Sequence, residues 1–435
     1  LGLFSKELKT RQLHKGEIES FKTQLKWLVE KHTDAFILDS CQLNAPLGIG
    51  KYDLIAGFGV RRTFKAFSPN IDLNDLSGFL QKGSWHFGVL SYDLRHQVEH
   101  LKQSLPSCTP VPELHFIEPE TVFTIDRNGI LSSQGNTDFF DAFDSLSYLK
   151  SPEFEIESGV TQLNTVSREE YLRNIDIIKG HIRAGDVYEL NYCYTKEIRE
   201  LNIANPYVLQ RKLLKRSPVP FAAYVKTGDL HLMCASPERF LFNHEGTLVS
   251  QPIKGTARRD KDPYTDEKLK RELFNSEKER AENVMIVDLV RNDMAKCSEV
   301  GSVHVEELFG IHSYAQVHQM VSTIKSGLKE GLDLVNVLKA CYPMGSMTGA
   351  PKIAAMEAIN ELEQYQRGWY SGSVGYVDPE GNFDFNVVIR SMIYNDQTKT
   401  LNYSVGSAIT IDSDASQEFL ECELKASAIE GILGL

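Results

Sequence analysis

The sequence has no Cys-x-x-Cys pair, no cluster of histidine with cysteine, no apolar run long enough to cross a bilayer and no excess of basic residues. Each absence removes a class of function. The seven cysteines, Cys41, Cys108, Cys193, Cys234, Cys297, Cys341 and Cys422, are scattered and odd in number, which argues against a disulfide framework or a structural zinc and fits a reducing cytoplasm. A formal net charge of −12 excludes nucleic acid as an expected partner, because polyanion binders carry basic surface. With neither a spanning segment nor a basic-then-apolar leader, no membrane association is expected and a cytoplasmic location is. Nucleotide motifs are missing as well. Gly48-Ile49-Gly50 is followed by Asp53 where the dinucleotide fingerprint needs glycine. The segment Tyr342 to Lys352 has the wrong glycine and lysine spacing for a phosphate loop, and no serine or threonine follows Lys352.

What is present is length and a large apolar fraction. With 435 residues, 42% of them hydrophobic, the chain can bury a sizeable core as two domains or one large body. The N-terminal part, residues 1–155, mixes short β-rich runs such as Ala35-Phe36-Ile37-Leu38 and His86-Phe87-Gly88-Val89-Leu90 with polar connections. Between Ser151 and Val166 periodicity fades, which sets a soft boundary. Residues 166–435 alternate amphipathic helices with strands, and strand-rich runs cluster late, at Ser371 to Tyr376, Phe383 to Tyr394 and Leu401 to Ile411. A mixed, largely antiparallel α+β body is expected rather than a doubly wound parallel sheet.

Several residues carry chemistry. Lys254 sits in a strand-like stretch between Pro252 and Gly255. Most strand lysines face water, but an amine desolvated among apolar neighbours is expected to lose its proton near neutral pH and become a nucleophile. Ser276 followed by Glu279 reads as a helix start, and the helix runs to about Ala295. At about 100° per residue, Glu279 and Glu282 fall on the apolar side with Ile286, Leu289 and Val290. A later helix, from Ser416 onward, places Glu418, Glu421 and Lys425 in one stripe and Glu423 and Glu430 on the other, one stripe toward water and one toward a pocket. Glu421 and Lys425 alone read as a surface pair worth about 0.3–0.5 kcal/mol. Glu279 and Glu282 are costlier, since ionised carboxylates on an apolar face need cations. Two helices offering acids three residues apart point to a hard divalent ion held by oxygen, Mg²⁺. The loop before Lys352 offers backbone N–H groups to a carboxylate. Arg390, in the apolar run Phe385 to Tyr394, needs either an internal carboxylate or that of a substrate. Gly406-Ser407-Ala408 permits close approach of a ligand or of neighbouring backbone.

Taken in order, Ala235-Ser236-Pro237-Glu238-Arg239-Phe240, Pro252-Ile253-Lys254-Gly255-Thr256, Lys278 to Asn283 with Val287 to Asp293, Gly345 to Lys352, and Glu418 to Lys425 resemble the chorismate-utilising enzymes, and among them the aminodeoxychorismate synthase component I (para-aminobenzoate synthase component I) family. The resemblance is dense from about Ser167 onward and thinner before it. It implies one intertwined fold, two sheets packed as a sandwich with helices outside. It also implies that chorismate and ammonia give 4-amino-4-deoxychorismate on the route to folate. Lys254 is implied to attack C2 of chorismate as the C4 hydroxyl leaves, with Glu238 as general acid/base and ammonia then displacing the lysine. Glu282 and Glu421 are implied as direct Mg²⁺ ligands, with Glu279 and Glu418 acting through water. Thr256, Ser346, Tyr370, Arg390, Gly406, Ser407 and Lys425 are implied to bind substrate. The ammonia is implied to come from a separate glutamine amidotransferase subunit, because no Gly-x-Cys-x-Gly elbow is present. Ser40 and the Pro218 to Tyr224 segment fall where relatives bind tryptophan.

Some positions depart from the family pattern. Gln319 stands where many relatives have histidine, with His318 one residue earlier, and Ala408 replaces a frequent glycine. Glu189 stands where isochorismate and salicylate synthases place a water-activating lysine, so addition of water at C2 is not expected. Two rivals carry the same fold. Anthranilate synthase component I is disfavoured by Lys254, where that family has alanine, and by Ser346 in place of its threonine. A catalytically idle regulatory subunit is disfavoured by the retained acids, Arg390 and Lys254.

Overall fold

The computed structural model describes residues 8–69, 71–99, 101–102, 105–135, 138–146, 161–164 and 166–435. Most of the soft boundary between Ser151 and Val166 lies outside the described residues. Within them, strands with two apolar faces dictate the architecture. In Asp34–Asp39, Ala35 and Ile37 enter one core cluster while Phe36 enters another. Phe221–Thr227 does the same, with Ala222 and Tyr224 on one side and Ala223 and Val225 on the other. Such strands must be covered on both faces.

The cover on one face is a second sheet. Among the described residues, a twelve-stranded sheet runs in the order Leu8–Gln12, Ile130–Gln134, Thr121–Asp126, Tyr52–Phe58, Asp34–Asp39, Phe221–Thr227, Leu230–Ser236, Ser391–Asn395, Thr400–Ile409, Glu189–Arg199 and Gly349–Ala350, with Thr161–Asn164 paired to Glu189–Arg199. A ten-stranded sheet runs Ile253–Arg258, Val317–Gly327, Thr247–Gln251, Arg239–His244, Phe383–Asn386, Ser373–Val377, His86–Leu90, Leu114–Glu118 and Arg62–Ala66, with His304–Ser313 also on Val317–Gly327. The ladders around the site are antiparallel. Phe36, Val225 and Leu232 from the first sheet meet Phe87, Val89 and Val374 from the second in a buried apolar inter-sheet core. Each such fully buried side chain contributes roughly 1.5–3 kcal/mol. Helices cover the outer faces, with Arg168–Ala184, Pro206–Arg216 and Ala415–Leu433 on the larger sheet and Glu277–Cys297 and Leu334–Cys341 on the smaller. The fold is therefore the mixed α/β sandwich expected, and each sheet takes strands from both 1–155 and 166–435.

One expected strand is two. The run Phe385 to Tyr394 divides into Phe383–Asn386 of the smaller sheet and Ser391–Asn395 of the larger, and residues 387–390 carry the chain from one sheet to the other. Hydrophobic pattern does not reveal this, because the crossing passes through the inter-sheet core, where Val388 is as buried as the strand residues around it.

Candidate active site

A second crossing lies beside the first. Leu230–Ser236 belongs to the larger sheet and Arg239–His244 to the smaller, with Pro237 and Glu238 between them. Chain leaving a ladder frees backbone groups that must be paired elsewhere. The two crossings pair with each other: Val387 N–H donates to the Glu238 carbonyl and Ala235 N–H to the Arg390 carbonyl, each at 3.1 Å. Glu238 and Arg390 thereby lie on adjoining crossings although 152 positions separate them in sequence (390 − 238).

Arg390 is held at φ 51°, in the left-handed region where a side chain is disfavoured. Its guanidinium has no internal partner among the described residues, so the internal carboxylate weighed from sequence is not there. Burial alone pulls its pKa down. A desolvated, unpaired guanidinium is suited to a ligand carboxylate. Glu238 is 4% exposed and accepts a hydrogen bond from Ser346 Oγ at 2.7 Å. Burial pushes its carboxyl up to about 7, against the opposing effects of that bond and of Lys254. A carboxylic acid that still holds its proton near neutral pH is suited to general acid work. Ser346 is presented by a turn, Gly345–Met347. Behind that turn the buried Lys352 ammonium bonds Asp293 and donates to the carbonyls of Cys341 at 3.2 Å and Pro343 at 2.9 Å. Lys352 thus braces the loop, and Pro351 caps the helix Lys352–Leu362.

Lys254 departs from its expected state. Thr247–Gln251 and Ile253–Arg258 run in line along Val317–Gly327, interrupted at Pro252, which has no N–H to donate. From the second segment Lys254 Nζ donates to Glu189 Oε1 at 2.5 Å, with the two side chains 10% and 2% exposed. Burial does favour the free amine, as expected, but Glu189, Glu282 and Glu238 outweigh it and hold the pKa above the ordinary lysine value. The expectation of a neutral amine is corrected: Lys254 rests as an ammonium. Gly255 next to it has φ 91°, and a Cβ there would lie 2.9 Å from Glu279 Oε2. Glycine at 255 thus lets the helical acid reach the strand.

Acids of the two helices approach a common lysine, Lys278. Glu282, Ile286 and Val290 are buried on the helix Glu277–Cys297, while Glu277, Arg280 and Asp288 are exposed. The helix starts at Ser276, whose Oγ accepts from Glu279 N–H at 3.3 Å. From the helix Ala415–Leu433, Glu418 comes within 3.7 Å of Lys278 Nζ, and Glu282 lies 3.9 Å from the same ammonium. Glu421 pairs with Lys425 at 2.8 Å, and Lys425 Nζ donates to the Gly406 carbonyl at 2.9 Å. Burial and like-charged neighbours raise Glu282 to about 7, and burial above all raises Glu279. Glu282 Oε1 is buried without a hydrogen bond. Among the described residues no three side chains form a closed metal cage. The acids of the two helices are instead bridged by Lys278. A buried carboxylate oxygen with no donor, surrounded by other carboxylates, has the character a divalent cation would match. The opposite stripe, Glu423 and Glu430, faces the sheet rather than water, each accepting from the buried Lys196 ammonium at 2.9 Å.

Other expected residues sit apart or do different work. Thr256 is exposed opposite Gln319. The Ser407 hydroxyl is turned to Tyr171 at 3.0 Å, which leaves only backbone for a ligand. At Gly406 a Cβ would fall 2.4 Å from Cys193 Sγ, so tight strand packing alone requires glycine there. Tyr370 is buried with its hydroxyl 4.0 Å from Cys193 Sγ. His318 is turned away, bonded to Ser313 at 2.7 Å and Asp266 at 3.1 Å, and Gln319 is buried with an unbonded Oε1. Ser40 and Pro220 to Ala222 line a separate cavity with Arg127 and Asp53. Sequence reasoning missed Lys278 as the bridge between helices, and it noted Glu189 only for the lysine it replaces.

Known proteins match this arrangement. The chorismate binding enzyme family model matches residues 33–431. An aminodeoxychorismate synthase of Streptomyces griseus is 42% identical over 267 residues, covering 61% of this chain and 36% of that protein, so this chain spans about a third of its length. Aminodeoxychorismate synthase component 1 of Bacillus subtilis is 33% identical over 363 residues, covering 80% of this chain and 76% of that one. Among solved structures, anthranilate synthase component I from Streptococcus pneumoniae superposes with a TM-score of 0.75 at 24% identity, covering 88% of this chain and 92% of that chain. With the family match running nearly end to end, over a sandwich whose two adjoining sheet crossings carry a buried acid and an unpaired arginine, the chain belongs to the chorismate binding enzymes.

Proposed function

We propose that the protein converts chorismate and ammonia into 4-amino-4-deoxychorismate through a covalent bond to Lys254. The observation that carries this is Lys254 itself, a buried amine acted on by the protonatable Glu238 and by Glu282 of the helical acids. The Lys254 amine bonds to C2 of the ring. Both ring double bonds shift, from C1=C2 to C1=C6 and from C5=C6 to C4=C5, the C4–O bond breaks, and Glu238 gives its proton to the departing hydroxyl so that water leaves. Ammonia then adds at C4 and passes its surplus proton to Glu238, both ring double bonds shift back, and the C2–N bond breaks to release Lys254. Arg390 would hold a substrate carboxylate, with Tyr370 and the Gly406 backbone beside it. Glu282 and Glu421 would hold Mg²⁺ directly, with Glu279 and Glu418 acting through water, and the orphaned Glu282 Oε1 supports that fit. When bound, the ion supplies neutralisation of the ring carboxylate.

A separate glutamine amidotransferase subunit supplies the ammonia in this reading, and the cavity at Ser40 takes tryptophan. Among the described residues no helix is long and apolar enough to cross a membrane. Product identification tests the reading: chorismate, Mg²⁺ and ammonium with the purified protein should yield 4-amino-4-deoxychorismate. Anthranilate as the main product would instead assign the protein to the rival reaction.

A further inference from the structure

A nucleophilic lysine that rests as an ammonium has to lose a proton before it can attack. The charged groups acting on Lys254 are Glu189 from Glu189–Arg199, Glu238 from the sheet crossing, Glu279 and Glu282 from one helix and Glu421 from the other. Of these, Glu189 alone is hydrogen-bonded to the amine, at 2.5 Å. Glu238 is committed to Ser346. Among the described residues neither Glu189 nor Lys254 bonds to the helical carboxylates Glu279, Glu282, Glu418 and Glu421. The second oxygen of Glu189, Oε2, is buried and makes no hydrogen bond, so the carboxylate has an unused acceptor where water is excluded. Its backbone is fixed as well. Glu189 pairs with Ala350, and a Cβ on Gly349 would lie 2.1 Å from the Glu189 carbonyl, so no larger residue could sit against this strand.

We propose that Glu189 is the base that takes the proton from Lys254 and so arms it for attack on the substrate. This rests on the reading of Lys254 as the nucleophile. The ammonium N–H bond breaks, the proton passes to a Glu189 oxygen, and the freed electron pair of Nζ forms the bond to C2. Glu189 is then a neutral acid. When ammonia, adding at C4, has expelled the lysine, Glu189 returns the proton and the ion pair is restored, so the cycle consumes no external acid or base at this position. The inter-sheet site thereby holds two carboxyl groups of opposite duty: Glu238 enters the reaction protonated and gives up its proton, and Glu189 enters ionised and receives one. Position 189 then does more than exclude a water-activating lysine.

The test is Glu189→Gln, which can still accept a hydrogen bond from Lys254 but cannot take its proton. Near neutral pH, kcat should fall by about 100-fold or more, as expected for loss of a general base, with the chorismate KM within about twofold of wild type. Without Glu189 the proton must leave to solvent. The wild-type to variant ratio of kcat should therefore shrink by about tenfold per pH unit as pH rises, a comparison in which any common effect of Glu238 cancels. If the variant folds poorly, Glu189→Asp decides: it keeps a carboxylate, so its ratio to wild type should stay constant with pH. A Glu189→Gln kcat equal to wild type overturns the proposal. So does a ratio independent of pH accompanied by weaker chorismate binding, which would mark Glu189 as structural only, and so does a Glu189→Asp ratio that falls with pH. Wild-type protein that forms no 4-amino-4-deoxychorismate overturns the underlying reading instead, and this is seen before any variant is made.

Discussion

Glu238 illustrates how one residue can trade stability for chemistry. Its carboxyl is raised from the ordinary 4.5 to about 7 by burial. A folded-state pKa above the unfolded value means that proton binding favours the folded state. That contribution is complete below about pH 4.5 and is lost as pH rises through about 7. At pH 8 the protein therefore carries a buried carboxylate at a cost of at most about 3 kcal/mol. Glu238→Gln, which keeps a partner for Ser346, should raise Tm at pH 8, with the gain vanishing below about pH 4.5, while kcat falls by about 10² to 10⁴. Thermal melts across pH alongside steady-state rates check both halves, and a variant that melts at or below the wild-type temperature at pH 8 would contradict this origin of the shift. Lys254 shows where residue-level reading ends. Its frame of proline, glycine and strand formers is local and visible in sequence, but its charge state is set by Glu189, 65 positions away.

At the scale of elements, the helices were the most legible. The 3.6-residue period sorted Glu279 and Glu282 from Glu277, Arg280 and Asp288 correctly, because burial on a helix follows its geometry. The strand run around Arg390 was less so. Val387, Val388 and Ile389 are good strand formers placed in a corner, where tertiary packing overrides local preference. Which stripe of the last helix is buried was not legible for a related reason: Lys196, the buried partner of Glu423 and Glu430, lies on a distant strand. Gly255 links strand to helix. Gly255→Ala would place a Cβ 2.9 Å from Glu279 Oε2 and 3.1 Å from Leu273 Cδ1, at φ 91°. The backbone strain alone costs roughly 1–2 kcal/mol. The variant should melt at lower temperature and bind chorismate in Mg²⁺ more weakly by calorimetry, and unchanged binding would show that the Glu279 position is not needed.

At the scale of the molecule, neither portion of the chain builds a sheet alone. Strand Glu189–Arg199, which carries Glu189, pairs with Gly349–Ala350 and with Thr400–Ile409, whose Gly406 holds Lys425. The N-terminal half is tied in by charge as well as by strand pairing: buried Lys22 bonds Asp39 at 2.7 Å and Asp53 at 2.8 Å, and Arg211 reaches Asp39 at 2.6 Å. Removing one partner from such a cluster leaves a buried charge unpaired. Hydrophobic runs announced the strands but not which sheet each joins, since a residue buried between sheets and one buried under a helix look alike in sequence. The family motifs supplied the site residues that periodicity could not connect.

The most direct measurement is the intact mass, followed by peptide mapping, of the full chain quenched after mixing with chorismate and Mg²⁺ in the absence of ammonia. A mass gain of chorismate less one water, localised to Lys254 and absent from Lys254→Ala, is the predicted result. No adduct while turnover proceeds with ammonia, or an adduct on any other residue, would contradict Lys254 as the nucleophile.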